Sequence, residues 1–396
     1  MGRRAEAAGA ELSIAIAAAG TGGHIYPGLA VAEALRRLAP GAAVWFVTTR
    51  RGLGPEILAR HGEAFTAVAG EPAPRGLSAA RAAAFAAAVA RGAWQARRAL
   101  RAQRAAALLA TGGYGSAPAV VAARSLGLPV IWQEQNAVPG RATRALGRWA
   151  RVVALGFEEA AAMLPPAVRR RARLTGNPVR AAVVAGVDRE QAARRLGLDP
   201  GRRTVLVVGA SQGARRFNEA LAQAAGELAG VPGVQVLAST GRAQWEQAVA
   251  MLQARAPQAR VEDGRARLGG VVLVPYLEDM AAALSAADLA VSRAGAISLA
   301  ELTCRGLPLV LVPYPYAADR HQEANARVLE RAGAAVVVPD EALDGRRLAE
   351  VVTGLLADPR RLAAMAEASR RMGRPRAAEE VAELVLEAAL GGRAPA

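Results

Sequence analysis

The stretch Gly20-Thr21-Gly22-Gly23-His24-Ile25-Tyr26-Pro27-Gly28 sets glycines and a histidine between an apolar run, Leu12 to Ala19, and a segment, Leu29 to Leu38, whose apolar residues recur at helical spacing. Glycine lets backbone N–H groups approach a ligand closely, and the first turn of a helix offers unpaired donors and a partial positive charge. Such a turn suits a phosphate or another anion. A turn that is merely tight has the same composition, so other residues must decide. His24 stands where the helix dipole disfavours imidazolium, which keeps the ring able to accept a proton, while a nearby pyrophosphate would pull the other way. Glu134, in Gln133-Glu134-Gln135-Asn136, is the rival base: it is the single acid among 12 arginines between Pro72 and Phe157. Both stand at this point.

The elements that must carry these residues alternate. Runs rich in Val, Ile, Leu and Ala predict strands over Leu12 to Ala19, Ala43 to Thr48, Ala106 to Ala110 and Pro129 to Gln133, separated by alanine-rich helical stretches. This is the signature of an α/β fold with parallel sheets. The pattern restarts at Arg203 to Ala214, again a strand running into a glycine-rich turn. ATGGYGSAPAVVAARSLGLPVIWQEQN in the first half matches VSRAGAISLAELTCRGLPLVLVPYP in the second in outline: strand, glycine turn, short helix, Gly-Leu-Pro, strand. Two similar Rossmann-like domains are expected, residues 1–180 and 181–374, with their glycine turns facing a cleft. Thr175-Gly-Asn-Pro-Val-Arg180 reads as the hinge, and residues 375–396 as a helix packing back on the first domain.

Composition bounds the function. At 396 residues two cores are the natural expectation. The one cysteine, Cys304, excludes an intrachain disulfide, no apolar window is long enough to span a membrane, and the opening residues do not read as a signal peptide. The net charge of +16 is placed unevenly: residues 1 to 180 hold 24 arginines against nine glutamates, whereas the remainder is nearly balanced. Such a field attracts nucleic acid, anionic lipid or a polyanionic substrate. Zinc-ligand spacing, an RNP pattern and a KH clamp are missing from the sequence, so no nucleic acid partner is expected. An anionic membrane surface fits better, because the apolar stretch Leu77 to Trp94, with Phe85, gives way to Arg97, Arg98, Arg101 and Arg104. An ordinary helix covering a sheet is the plainer alternative. Arg141, Arg144, Arg148 and Arg151 are spaced to share one helix face.

The blocks AGTGGHIYPGLAVAEAL, GGYGSAPAVVAA, QEQNAVPG, TGNPVR, GASQGA, SRAGAISLAEL and DRHQEANA resemble, in order and spacing, those of the MurG-type N-acetylglucosaminyltransferases, from about Leu12 to beyond Asn325. The resemblance implies a two-domain GT-B fold, UDP-N-acetylglucosamine as donor, and undecaprenyl-pyrophosphoryl-MurNAc-pentapeptide (lipid I) as acceptor. It further implies inverting transfer to the muramyl 4-hydroxyl, giving lipid II, by a peripheral protein on the cytoplasmic face of the cell membrane that works beside other cell-wall synthesis proteins. The sequence departs from the family at Gln133, where histidine is common.

No cofactor is expected. The chain holds no Asp-x-Asp, and His24, His61 and His321 are scattered, so helix N-termini and arginine would neutralise the leaving diphosphate. By similarity, Ser211 and Arg180 contact the phosphate-bearing part of the donor. Ala296, Ile297, Ser298, Leu299, Ala300 and Glu301 match the nucleotide clamp, with Glu301 accepting from both ribose hydroxyls. Leu277 matches the position whose backbone reads uracil, and Gln322 one that touches the sugar hydroxyls. Thr21, Gly22, Gly23 and Asn136 match positions at the sugar end. Plainer roles exist: Ser211 as a helix cap, and Glu301 paired with Arg305 one turn later. Three other functions compete. A nicotinamide-dependent oxidoreductase lacks its full G-x-G-x-x-G and the acid after the second strand. Another GT-B glycolipid transferase or a UDP-sugar epimerase lacks a reason for GGYGS and QEQN. A noncatalytic membrane module lacks a reason for Ser211, Arg180, Glu301 and Gln322.

Overall fold

A strand with no polar face has to be covered on both sides, and Ser13–Ala17 is such a strand: all five of its residues are buried. The structure, a computed structural model, describes residues 12–71, 79–209 and 214–391. The chain divides into two units, Met1–Ala181 with Arg374–Ala396, and Ala182–Gly373.

In the first unit β1 (Ser13–Ala17), β2 (Ala43–Thr49), β3 (Phe65–Val68), β4 (Ala105–Ala110), β5 (Val130–Glu134), β6 (Val152–Leu155) and β7 (Ala172–Leu174) form one parallel sheet in the order β3-β2-β1-β4-β5-β6-β7. The order reverses between β1 and β4, so the loops that leave these two strands start outward from adjacent points. Alternate residues of β1 serve opposite layers. Ile14 and Ile16 pack with Leu29 and Leu35 of α1 (Gly22–Leu38). Ala15 and Ala17 pack with Leu108, Val120 and Trp132 beneath α2 (Ala79–Ala102) and α3 (Ala117–Ser125).

The second unit repeats the plan. Its sheet runs β10-β11-β12-β9-β8-β13-β14-β15, from β8 (Arg203–Val208), β9 (Val234–Ser239), β10 (Arg260–Glu262), β11 (Arg265–Leu268), β12 (Val271–Val274), β13 (Leu289–Ser292), β14 (Leu309–Leu311) and β15 (Ala335–Val337). Only the β10-β11-β12 edge is antiparallel. Its Asp263-Gly264 turn has φ of 50° and 69°, the left-handed pair that a two-residue hairpin favours. The order reverses between β8 and β13, and α4 (Ala296–Cys304) connects β13 to β14 as α3 connects β4 to β5. The internal sequence match therefore falls on equivalent positions, one strand beyond each reversal. α5 (His321–Arg331) follows β14.

The last helix, α6 (Ala377–Gly391), belongs to the first unit, where Val381 and Val385 are fully buried against α1 and the sheet. Burying each valine contributes roughly 1.5 kcal/mol. The Arg37–Glu379 ion pair at the same contact is half-exposed and adds about 0.5 kcal/mol, so packing holds the helix. Two sequence expectations need revision. Arg141, Arg144, Arg148 and Arg151 do not share a helix: the helix Arg141–Leu146 gives way at Gly147 to a single tight turn, and Arg151 precedes the buried strand β6. Strands β3, β6 and β7 also went unread, because at three or four residues each is too short to show a period.

Candidate functional site

In the first unit the chain leaves β1 and reaches α1 through Gly20, whose φ of +94° only glycine adopts without strain. Thr21 is the extended N-cap residue, and among the described residues no side chain caps this helix. Thr21 and Gly23 are exposed, while Gly22 is buried beside the Tyr26 ring. Gly28 does a different job: a Cβ there would come 3.2 Å from both Ile16 and Phe46, so its absence lets α1 lie close on the sheet.

The turn after β4 meets this one. Nδ1 of His24 lies 3.0 Å from the Thr111 carbonyl oxygen, and the Thr111 hydroxyl lies 2.7 Å from the His24 carbonyl. A carbonyl oxygen accepts but cannot donate, so Nδ1 carries the proton and, in the neutral ring, Nε2 holds the lone pair. Gly112 and Gly113 follow at φ of +87° and +72°. A Cβ on Gly113 would stand 3.0 Å from Cδ2 and Nε2 of His24, so the ring lies directly on this glycine.

Glu134 ends β5 and is 3% exposed. Its Oε1 accepts from the Asn136 amide N–H at 3.0 Å and lies 3.4 Å from Asn136 Nδ2; its Oε2 accepts from the Gly140 N–H at 3.0 Å and from the Thr143 hydroxyl. Trp132 Nε1 donates in turn to Thr143 at 2.9 Å. The carboxylate thus gathers residues 136–143, the loop that carries Asn136, around one buried acceptor.

A second network runs beside it. Gln133 Nε2 donates to Asn177 Oδ1 at 2.8 Å, Asn177 Nδ2 donates to the Gln135 carbonyl at 2.9 Å, and Gln135 Nε2 donates to the Thr111 carbonyl that also receives His24. Gln133, Gln135, Asn177 and Thr111 are all buried. Asn177, read from sequence as part of a hinge, is therefore fastened inside the first unit, and the division of the chain falls after it. Arg180 also lies in this unit, with its guanidinium 5.2 Å over the Tyr26 ring and its Nε without a partner among the described residues.

In the second unit β13 leads through Arg293-Ala294-Gly295 into α4. Leu299, Leu302 and Thr303 face inward; Ser298 is exposed and Ile297, Ala300 and Glu301 are half-buried, which puts Ser298 and Glu301 on one accessible side, three residues apart. Ala296 is buried at the helix start. The guanidinium of Arg305 donates to the Val184 and Ala185 carbonyls. Gln322, on α5, accepts through Oε1 from the Ala294 and Tyr314 amides at 3.2 and 3.0 Å, which ties the loops after β13 and β14. Leu277 is buried in the loop after β12. Ser211 lies outside the described residues.

Arg293 stands in the SRAGAISLAEL block without a role that its sequence spacing assigns. Arg293 is buried, bonds Asp340 at 2.5 Å and the Val312 and Pro313 carbonyls, and lies between the Phe217 and Tyr314 rings at 4.9 and 5.5 Å. Its signal was an arginine inside an otherwise apolar strand end. On the other unit, α2 shows a row of exposed residues, Arg91, Trp94, Arg98 and Arg101, with Trp94 58% exposed and Arg98 stacked 5.0 Å over it. Phe85 turns instead against Tyr114, edge to face, and Arg97 donates to the Ser125 carbonyl at 2.8 Å. Among the described residues no helix is long and apolar enough to cross a membrane.

Two successive doubly wound units, each with its loops gathered at a strand reversal, define the GT-B class of glycosyltransferase folds. The description "Glycosyltransferase family 28 N-terminal domain" matches residues 14–155 and "Glycosyltransferase family 28 C-terminal domain" residues 204–381. A relative from Desulforudis audaxviator (strain MP104C), named UDP-N-acetylglucosamine--N-acetylmuramyl-(pentapeptide) pyrophosphoryl-undecaprenol N-acetylglucosamine transferase, is 40% identical over 374 residues, 94% of this chain and 98% of its own. Its namesake from Halorhodospira halophila (strain DSM 244 / SL1) is 41% identical, covering 96% and 99%. The crystal structure of Acinetobacter baumannii MurG superposes with a TM-score of 0.71 at 29% identity, over 95% of this chain and 99% of that one. The chain belongs to glycosyltransferase family 28.

Proposed function

We propose that this enzyme transfers N-acetylglucosamine from UDP-N-acetylglucosamine to the 4-hydroxyl of MurNAc in undecaprenyl-pyrophosphoryl-MurNAc-pentapeptide, with inversion. The observation that carries this is identity of 40% along nearly the whole length of a relative with that name. In an inverting step the acceptor oxygen bonds the anomeric carbon as the bond to UDP breaks; the hydroxyl proton goes to a base and the electron pair leaves with the diphosphate. His24 is our choice for the base, because its Nδ1–H is held by Thr111 and its lone pair therefore sits on Nε2. Glu134 is assigned to holding the Asn136 loop, since four donors converge on its two oxygens.

The other roles follow the same proposal. Thr21, Gly22, Gly23 and Asn136 serve the sugar end, and the uncapped start of α1 supplies N–H donors and positive potential. Arg180 and Ser211 take the donor diphosphate. Glu301 takes the ribose hydroxyls from the accessible side of α4, with Ser298 beside it and Ala296, Ile297, Leu299 and Ala300 forming the rest of the clamp. Leu277 offers backbone to the uracil, and Gln322 offers its amide nitrogen to the sugar. We assign the work to the cytoplasmic face of the cell membrane, as the resemblance implies, and the exposed row on α2 supports attachment to an anionic membrane surface there.

The test is incubation of the full chain with labelled UDP-N-acetylglucosamine and a short-chain analogue of the lipid-linked acceptor, with the product identified by mass. Formation of the disaccharide-linked lipid together with UDP is expected. Conversion of the donor to a free epimeric sugar, or no transfer at all, overturns the proposal.

A further inference from the structure

We propose that Gln135 is a positioning residue for His24, acting through the peptide between Thr111 and Gly112. This rests on His24 being part of the reaction site.

The Thr111 carbonyl oxygen receives two N–H donors, Nδ1 of His24 at 3.0 Å and Nε2 of Gln135. With both lone-pair directions in use, the carbonyl has one favourable orientation. That peptide needs an external restraint. The two residues after Thr111 are glycines in the left-handed region, where a peptide plane turns at little cost because no side chain resists it. The Gln135 amide supplies the restraint from the residue just after β5, the strand that pairs with β4. Its own backbone is fastened in turn: Asn177 donates to the Gln135 carbonyl at 2.9 Å and accepts from Gln133 at 2.8 Å. The chain from Gln133 through Asn177, Gln135 and Thr111 to His24 is buried up to the imidazole, which is half-exposed. Water therefore does not compete for the intermediate bonds, and an amide left without its partner there costs more than one at the surface.

The consequence is chemical. If the carbonyl keeps its direction, the neutral ring is held in the Nδ1–H form with Nε2 as the basic atom. If the peptide turns, the reason for that preference is gone, the ring populates both tautomers and rotates, and the fraction able to accept the hydroxyl proton falls. The Gln135 amide is bound to the Thr111 carbonyl rather than to the imidazole, so its contribution is to orientation.

The experiment compares the full-length protein with its Gln135→Met and Gln135→Asn variants, the first keeping side-chain size and the second keeping the amide on a stem too short to reach. Protein labelled with nitrogen-15 at its three histidines reports each ring nitrogen separately, with His61 and His321 as internal controls. In the wild type, Nδ1 of His24 resonates as a protonated nitrogen and Nε2 as an unprotonated one. In both variants the two shifts are expected to move toward each other while those of His61 and His321 stay. The turnover kcat should fall about tenfold with KM for UDP-N-acetylglucosamine within about twofold of wild type. A His24 spectrum unchanged in the folded variants overturns the proposal, whatever happens to kcat. A changed spectrum with unchanged kcat upholds the positioning and removes His24 from catalysis. Should Gln135→Met not fold, Gln135→Asn carries the same two readouts.

Discussion

Nδ1 of His24 lies 3.0 Å from the carbonyl oxygen of Thr111, a residue 87 positions later in the chain. The contact joins the glycine turn after β1 to the glycine turn after β4, and it exists because those strands are neighbours at the reversal of the sheet. The first three expectations below depend on how these turns and their supports are built, and the fourth on the exposed row of α2.

Replacing His24 by alanine should lower kcat by about 10²-fold or more with both substrates saturating, the usual contribution of a positioned base, while KM for the donor changes little. Steady-state transfer assays with labelled donor measure both. Near-wild-type kcat in this variant sinks the assignment of the proton to His24.

Gly113→Ala places a methyl group 3.0 Å from two ring atoms of His24 and asks alanine to hold φ of +72°. The strain alone should cost about 1–3 kcal/mol, read as a lower denaturant midpoint at unchanged slope. The crowded ring should also cost activity in the protein that remains folded. Gly62→Ala is the control: its φ is +69° but nothing stands within 4 Å of the added carbon, so stability should fall without a matching loss of kcat per folded molecule.

Glu134→Ala removes the carboxylate acceptor of the half-buried Asn136 and Gly140 amides and of the buried Thr143 hydroxyl. At about 1–3 kcal/mol for each orphaned group, less what relaxation recovers, a loss of roughly 3 kcal/mol is expected. Thermal unfolding and limited proteolysis within 135–143 measure it. A variant as stable as wild type but inactive would return Glu134 to the role of base.

Arg91, Arg98 and Arg101 changed together to alanine should weaken cosedimentation with anionic vesicles, and salt should weaken the wild type in the same way. Arg97 is left alone here because its guanidinium is engaged with Ser125. Trp94→Ala in the same assay separates insertion of the exposed ring from charge attraction. Binding indifferent to salt and to all four changes removes the membrane role of this helix face.

Much of this protein is written locally. Apolar runs ending in glycine turns announce parallel strands and helix starts, because a strand buried on both faces admits few polar residues and a turn against a helix admits little but glycine. The duplicated strand-turn-helix-strand pattern announces two like units for the same reason. Motif spacing carries the family and most of the residues assigned to the donor. What sequence distance hides is which turns meet. Strand order decided that Thr111 stands beside His24 and that Asn177 braces β5, while loop and helix packing decided that Glu134 is ringed by donors from its own loop and that Phe85 is turned against Tyr114 while Trp94 faces out. These are long-range or orientational facts. A residue's type states what it can donate or accept, but only packing of the sheet determines who stands within 3 Å to receive it.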